Sequence, residues 1–365
     1  MQQLAARAGR GTAAASVPRL LFGLQAARGI AAILVMLFHA PPLLQLYLGY
    51  APFEHAFRFG HAGVDFFFVL SGFIIMHTHG GDLGRPERLH RYATRRFSRI
   101  YPIYWVICGL LLAMALFSPD RAAQLSFWHV VGSLLLIPHG QEPFLNVAWT
   151  LQYEVLFYLC FAAAILSRWA GPVLAALCLA LVAVWLLFAP QATGAAFITP
   201  PYLLEFLGGV GVAMLVRRRL VPRPGTMAIA GVAAFLAVGL AENAGLMTHT
   251  GTASILLFGT ASAMIIAGLA AVESEAGLVV PQPLIALGAA SYVIYLIHFT
   301  GISVSARLLA ALGVMRLVPG WLAFGLVLVS VLVVGLLMHR YIEQPLIAWF
   351  RGPRSVPQRA AATGD

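Results

Sequence analysis

Two ionisable residues, Arg28 and His39, enclose ten residues of which none is charged or polar. On a helix, eleven positions make almost three turns, so both side chains project from one face with a rise of about 16 Å between them. An ionisable side chain inside an apolar segment is costly and is therefore a functional candidate. We predict that both face a wet cavity; the alternative is that Arg28 reaches the membrane surface and His39 ends a helix before Pro41 and Pro42.

Two carboxylates stand in other apolar segments. Asp65, in the stretch GVDFFFVLSGFII, is either a catalytic carboxylate or an N-cap at a helix start. Glu154, in WTLQYEVLFY, lies about a turn inside its segment, where lipid packing does not explain it. We predict catalytic roles for both and expect one of them to orient His39.

Other polar side chains recur at helical spacing. Ser291, Tyr295 and His298 follow an i, i+4, i+7 pattern in SYVIYLIH, which places them on one stripe of one helix. Such a stripe either faces a substrate or forms hydrogen bonds between the helices of a bundle. Ser71 and Trp149 are further candidates with the same two interpretations.

Arginines precede the third apolar segment, in RPERLHRYATRRFSRIYPIYW. Arg91, Arg95 and Arg99 stand at i, i+4 and i+8 with Arg96 beside them, so they form a cationic ridge. Such a ridge binds either anionic lipid head groups or the phosphates of a nucleotide-bearing donor, because guanidinium binds phosphate in a bidentate manner. We predict that Arg95, Arg96 and Arg99 bind the donor.

Composition predicts the elements that position these residues. The 365 residues are 61% apolar and 10% charged, with a mean hydropathy of +0.87, whereas a soluble domain carries about 25% charged residues. Runs such as WLAFGLVLVSVLVVGLLM are apolar almost without a break, which excludes the alternating pattern of a transmembrane barrel. The sequence therefore predicts an all-α integral membrane protein.

Ten apolar runs are long enough for transmembrane helices. They lie near 22–44, 63–79, 100–117, 147–167, 172–189, 201–216, 226–241, 252–271, 288–312 and 321–340. The segment 127–138 has about a dozen residues, which fit an interfacial or re-entrant helix better than a span.

The net charge of +10 reflects topology rather than nucleic-acid binding, because the basic residues are all Arg and most lie between apolar runs. With both termini cytoplasmic, the arginines outside the cell are Arg58, Arg121, Arg307 and Arg316. We predict a disordered cytoplasmic tail at 1–20, one membrane domain at 21–350 and a cytoplasmic tail at 351–365. No metal site is predicted, because no carboxylate or Cys cluster accompanies the histidines.

Six stretches, in this order, together resemble acyltransferase family 3 of integral membrane acyltransferases: LQAARGIAAILVMLFH, GVDFFFVLSGFII, RRFSRIYPIYW, WTLQYEVLFY, SYVIYLIHF and RYIEQP. The resemblance covers about residues 21–350. It implies transfer of an acyl group, usually acetyl, from cytoplasmic acyl-CoA to a hydroxyl of a glycan or lipid-linked glycan. The expected location is the bacterial inner membrane, with the polysaccharide biosynthesis machinery as a candidate partner.

The resemblance also implies residue roles. His39 would be the catalytic histidine and Arg28 its partner in the motif, while Arg96 and Arg99 would bind the donor and Glu154 would be a further polar site residue. His39 would act either as a general base or through an acyl-imidazole intermediate. The alternatives are a transporter or flippase, in which buried ionisable residues line a pathway, and a non-catalytic partner of a polysaccharide synthase.

Overall fold

The computed structural model describes residues 21–53, 55–117, 125–138, 140–188, 200–248, 251–313 and 317–351. In these ranges the chain forms helices and turns and no strand, which confirms the predicted all-α class. The helices are α1 (Phe22–Leu48), α2 (Gly63–His79), α3 (Leu89–Leu116), α4 (Phe127–Leu135), α5 (Trp149–Leu166), α6 (Ala170–Phe188), α7 (Pro200–Arg217), α8 (Pro224–Asn243), α9 (Thr252–Glu275), α10 (Gln282–Ala311), α11 (Gly320–Met338) and α12 (Gln344–Arg351). The predicted tails at 1–20 and 351–365 lie outside the described residues, except for Arg351, which is the last residue of α12.

Nine helical segments of the described chain are long and apolar enough to cross a membrane. They are Phe22–Leu48, Arg58–His79, Pro86–Leu116, Asn146–Leu166, Ala170–Leu187, Pro224–Asn243, Thr252–Glu275, Gln282–Ala311 and Gly320–Arg351. The tenth predicted span, 201–216, is also helical as α7 but is not among these nine segments. The chain is a multi-pass membrane protein.

Helices α1 and α10 are parallel neighbours in the centre of the fold. Gly29 and Gly288 let their backbones approach, because a Cβ atom on Gly29 would lie 2.9 Å from the backbone nitrogen of Gly288. Farther along, His39 meets His298 with the same offset of 259 residues. Because both contacts join residues that are 259 positions apart, the two helices run side by side in one direction. The polar stripe of α10 therefore lies beside the Arg28–His39 face of α1.

Helix α1 is longer than predicted. It continues through Pro41 and Pro42 and ends at Leu48, where Gly49 adopts a left-handed conformation with φ 68°. His39 therefore lies inside the helix, and the interpretation that it ends a helix before the two prolines is wrong.

Helix α3 begins eleven residues before the predicted span, so the arginine ridge belongs to it. Its 28 residues extend for about 42 Å, which exceeds a hydrocarbon thickness of about 30 Å. The ridge from Arg91 to Arg99 occupies the first three turns, at one end of the span.

Helix α4 is too short to cross a bilayer, because nine residues extend for only about 14 Å. Three aromatic side chains of α3 donate hydrogen bonds to its last carbonyl groups: Tyr104 to Ser133 (2.7 Å), Trp105 to Leu134 (2.9 Å) and Tyr101 to Leu135 (3.2 Å). Carbonyl groups at a helix end lack partners within the helix, and in hydrocarbon they must be satisfied by protein. These contacts hold α4 against α3, in a manner that suits both an interfacial and a re-entrant segment.

A π-helical turn, His339–Glu343, connects α11 to α12. Helix α12 continues through Pro345 to Arg351. Arg351 donates a hydrogen bond from Nε to Oγ of Ser98 (3.1 Å), so α12 lies against the arginine-bearing part of α3.

Candidate active site

A cavity of about 1310 Å³ lies among α1, α2, α3, α5, α10 and α12. Most of the predicted site residues line it: Arg28, Ser71, Arg95, Arg96, Arg99, Glu154, Ser291 and Tyr295. Asp65, Trp149, His39 and His298 are not among the lining residues. The structure therefore brings together the predicted donor-binding arginines and part of the predicted polar stripe.

The cavity carries a large excess of positive charge. Arg28, Arg91, Arg95, Arg96, Arg99 and Arg351 contribute guanidinium groups to its wall. Among the described lining residues, Glu154 is the only carboxylate. An anionic ligand therefore fits this cavity better than a neutral or cationic one.

Arg99 differs from the other arginines because it is already neutralised. Its Nη1 lies 2.6 Å from Oε1 of Glu343, whose side chain is fully buried. His339 contacts the other carboxylate oxygen of Glu343 at 2.5 Å, and Tyr292 lies under the Arg99 guanidinium group at 5.1 Å. Glu343 therefore has one partner four residues away on the same turn, His339, and one arginine partner 244 residues away. Arg99 joins α3 to the turn before α12.

Four guanidinium groups of the wall remain available to a ligand. Among the ion pairs of the described residues, none involves Arg28, Arg91, Arg95 or Arg96. Arg96 stacks on the rings of Tyr92 (5.8 Å) and Tyr158 (5.5 Å), and its Nε atom is buried without a hydrogen-bond partner. A buried donor without a partner costs free energy, and an anion in the cavity would remove that cost.

Glu154 lies on the cavity wall and not at His39. Its Oε1 atom accepts a short hydrogen bond from the hydroxyl of Tyr158 and a long one from Ser71 (3.5 Å). The prediction that Glu154 orients His39 is therefore wrong. The carboxylate instead connects α2 and α5 beside the arginines.

Asp65 lies behind the cavity wall, next to a second carboxyl group. It is buried in the first turn of α2, where the N-cap position belongs to Ala62. Its electrostatic neighbours include Glu205 and His61, and its Oδ1 atom has no hydrogen-bond partner. Both the N-cap interpretation and the prediction that Asp65 orients His39 are therefore wrong.

His39 has two polar contacts that fix its ring. Its Nδ1 atom lies 2.9 Å from the carbonyl oxygen of Val35 and 3.3 Å from Nε2 of His298. Nδ1 of His298 in turn lies 2.6 Å from the carbonyl oxygen of Tyr295. Since a carbonyl only accepts, these contacts assign the proton of each neutral ring to Nδ1. The lone pair of His39 Nε2 is then left to accept a proton or attack a carbonyl group.

The cavity ends about one helical turn before His39. Thr150 and Tyr295 line its inner end, where Oγ1 of Thr150 and the hydroxyl of Tyr295 are 2.9 Å apart. His298 follows Tyr295 by three residues on α10, a rise of about 4.5 Å. Arg28 thus lines the cavity as predicted, whereas His39 is not among the lining residues.

Trp149 does not line the cavity. The centroid of its ring lies 6.3 Å from that of Phe68 and 5.8 Å from that of Tyr202. Sequence reasoning missed Tyr292, which lines the cavity and stacks on Arg99. The only feature of the sequence that could have pointed to Tyr292 was its position next to Ser291.

In the part of the chain that the structure describes, no group of three His, Cys, Asp or Glu side chains could hold a metal ion.

Comparison with known proteins identifies the family of the chain. The chain is 31% identical over 311 residues to exopolysaccharide production protein ExoZ of Rhizobium meliloti (strain 1021), covering 82% of this chain and 93% of that protein. It is 27% identical over 328 residues to acyltransferase MdmB of Streptomyces mycarofaciens, covering 80% and 82%. No solved structure matches. The sequence model described as an acyltransferase domain matches residues 21–340, so the chain belongs to acyltransferase family 3 and is an acyltransferase.

Proposed function

We propose that this protein transfers an acyl group, usually acetyl, from cytoplasmic acyl-CoA to a hydroxyl of an exported or lipid-linked glycan, and that it acts in the bacterial inner membrane. The observation that supports this most is the cavity itself, which runs from a group of arginines to within about one helical turn of His39. Such a cavity can hold a phosphate-bearing donor and present its reactive end to an imidazole.

The dimensions and polarity of the cavity suit acyl-CoA. From Arg91 to Ile100 on α3, and from Tyr292 to Tyr295 on α10, the wall extends for about 18 Å, and the two helices are joined by the hydrogen bond from Tyr292 to Ile100 (3.0 Å). The arginines would bind the phosphates at one end, and the pantetheine arm would occupy the remainder. The buried hydroxyl of Ser291 lines this path without a hydrogen-bond partner, so it can donate to an amide or thioester carbonyl of the arm.

The arginine distribution supports a cytoplasmic entrance. Arg91, Arg95 and Arg96 lie in the first turns of α3, and arginines in short loops and near helix ends favour the cytoplasmic side. Both termini are then cytoplasmic, and His39 lies nearer the opposite surface, from which the acceptor would approach.

The chemistry assigned to His39 balances without a further reagent. Nε2 of His39 takes the proton of the acceptor hydroxyl while the hydroxyl oxygen forms a bond to the thioester carbonyl carbon. The carbon–sulfur bond then breaks, and His39 returns the proton to the departing CoA thiolate. His298 acts as a positioning residue, since it contacts Nδ1 of His39.

The same Nε2 atom also permits a two-step route. Attack by Nε2 on the thioester carbonyl forms a nitrogen–carbon bond and expels the CoA thiolate. The acceptor hydroxyl then takes the acyl group from His39 and gives its proton to the thiolate. The two routes differ in one observable, because only the second places the acyl group on the protein before acceptor is added.

The relatives support a glycan acceptor. The first relative is named for exopolysaccharide production, and the second is named an acyltransferase. We therefore take the polysaccharide biosynthesis machinery as the candidate partner and an exported polysaccharide or its lipid-linked precursor as the acceptor.

The test uses radiolabelled acetyl-CoA and membranes that contain the full chain, with polysaccharide from a strain that lacks the protein as acceptor. We expect label to move to the glycan fraction, to depend on His39, and to be removed by mild alkali, which cleaves esters. A transporter would move no label in this assay, and a non-catalytic partner would leave labelling unchanged in the His39→Ala variant.

A further inference from the structure

The cavity opens where the beginning of α3 lies beside α12. Lining residues farther along, such as Ile100, Thr150 and Tyr295, are buried. The exposed lining residues of the described chain come from the first turn of α3 and from α12: they are His90, Arg91, Gln344, Ala348, Trp349 and Arg351. We call these six residues the mouth.

Trp349 carries the largest side chain of the mouth, and most of its ring is open. The residue is 75% exposed although it lines the cavity. It also lies beyond residues 21–340, which the acyltransferase domain model matches, so family membership assigns it no role.

Helix α12 is fixed to α3 at both of its ends, so the mouth is formed before a ligand binds. At its beginning, Glu343 is paired with Arg99 (2.6 Å). At its end, the ring of Phe350 meets that of Phe97 at 5.5 Å and that of Trp349 edge to face at 4.7 Å. A side chain on a fixed support loses little freedom on binding, which favours affinity.

We propose that the mouth binds the purine base of the donor and that Trp349 stacks on this base. The inference rests on the proposed function, because it assigns a place to the nucleoside end of acyl-CoA. It adds a donor-binding residue that lies outside the arginine ridge and on a different helix.

The order of groups along acyl-CoA places the base at the mouth. The thioester has to lie at the buried end of the cavity, towards His39, and the diphosphate at Arg95 and Arg96. The adenosine part then extends past these arginines to the opening. The flat face of a nucleic-acid base is bound by stacking on aromatic side chains, and an indole beside guanidinium groups matches a base beside phosphates.

Trp169 provides a matched control. It is a tryptophan of similar exposure, 66%, in the turn before α6, and it does not line the cavity. This turn lies at the same end of the bundle, because Gly84, shortly before α3, donates a backbone hydrogen bond to Ala164 (3.0 Å). Exposed tryptophans also anchor membrane proteins at the lipid interface, and a Trp169→Ala change tests that role without touching the mouth.

The experiment compares acetyl-CoA with S-acetyl-4′-phosphopantetheine, which has the same thioester arm but lacks the nucleotide. Label transfer to glycan, in membranes with matched protein amounts, gives kcat/KM for each donor, and the measured quantity is the ratio of the two values. We expect the wild type to prefer acetyl-CoA. Trp349→Ala should lower the ratio about tenfold, the usual size of one base–aromatic stack, by raising the KM for acetyl-CoA. Trp349→Phe should keep most of the ratio and Trp169→Ala all of it.

Three results would overturn base stacking by Trp349: a wild type that uses both donors equally well, an unchanged ratio in Trp349→Ala, or an equal fall of the ratio in Trp169→Ala. A membrane anchor predicts the second result, with both donors affected alike. Should Trp349→Ala not accumulate, Trp349→Leu keeps an apolar side chain without a ring, and its ratio has the same meaning. A wild type that transfers no label from acetyl-CoA contradicts the proposed function itself, whereas transfer with an unchanged ratio contradicts this inference alone.

Discussion

Nε2 of His298 lies 3.3 Å from Nδ1 of His39, across the interface of two parallel helices. The ring centroids are 5.0 Å apart and the ring planes are inclined by 50°, so the contact is a hydrogen bond and not a stack. Two imidazolium ions at this distance in a buried site would repel each other strongly. The pair therefore does not carry two charges at once, and His39 has to be its neutral member when it acts as a base or a nucleophile.

Replacement of His39 by Ala should remove the activity. Loss of a general base typically costs about 10² to 10⁴ in rate, and loss of a nucleophile would cost at least as much. The measurement is the initial rate of label transfer from acetyl-CoA to glycan. His55→Ala is the control, because His55 is an exposed histidine of the α1–α2 connection. Undiminished transfer by a well-expressed His39→Ala variant would contradict the assignment.

Variants of His298 should separate positioning from chemistry. A Gln side chain can place an acceptor oxygen near the position of Nε2 and keep the contact with His39, whereas Asn cannot reach it. We expect kcat to fall by about 10- to 100-fold in His298→Asn and less in His298→Gln, with the KM for acyl-CoA unchanged in both. Equal losses in both variants would show that the contact with His39 is not what matters.

The arginine ridge was predictable from sequence because helical spacing is a local property, and i, i+4, i+8 positions remain on one face of α3. The span positions were predictable for the same reason, from runs of apolar residues. The partner of Arg99 was not, since Glu343 is 244 residues away and no local pattern connects two such positions.

The partner of His39 illustrates the same limit. The stripe of Ser291, Tyr295 and His298 was visible on α10, but its depth relative to His39 depends on how α1 and α10 pack. Gly29 and Gly288 set that register by allowing close backbone contact. Asp65 and Glu154 looked equally suitable in sequence as partners of His39, and packing placed neither of them there.

The arginines without a carboxylate partner should control the affinity for the donor. We expect Arg95→Gln or Arg96→Gln to raise the KM for acyl-CoA about tenfold or more, since a hydrogen bond to a charged group is worth about 1.5–3 kcal/mol, with a smaller effect on kcat. Arg88→Gln is the control, because Arg88 is exposed and does not line the cavity. Equal KM values in all three variants would assign the ridge to lipid head groups.

The route through His39 should be visible without acceptor. Membranes or purified protein are incubated with radiolabelled acetyl-CoA, quenched, and separated from free label under conditions that preserve acyl-imidazole. General-base catalysis predicts no label on the protein, because the acyl group moves directly to the hydroxyl. Label that is retained by the wild type and lost in His39→Ala would establish the two-step route instead.

The Arg99–Glu343 pair should contribute more to stability than to donor binding. Breaking a buried pair by removing one partner typically costs about 3–5 kcal/mol, because the other charge is left uncompensated, and Glu343 is fully buried. We expect Glu343→Gln to lower the Tm of the purified protein clearly, and Arg99→Gln to do the same. The double variant should be less destabilised than the sum of the two single changes.

Arg340→Gln is the control, since Arg340 is exposed and contacts the ring of Tyr341. Additive losses in the double variant would show that Arg99 and Glu343 act independently, which would contradict a stabilising contact between them.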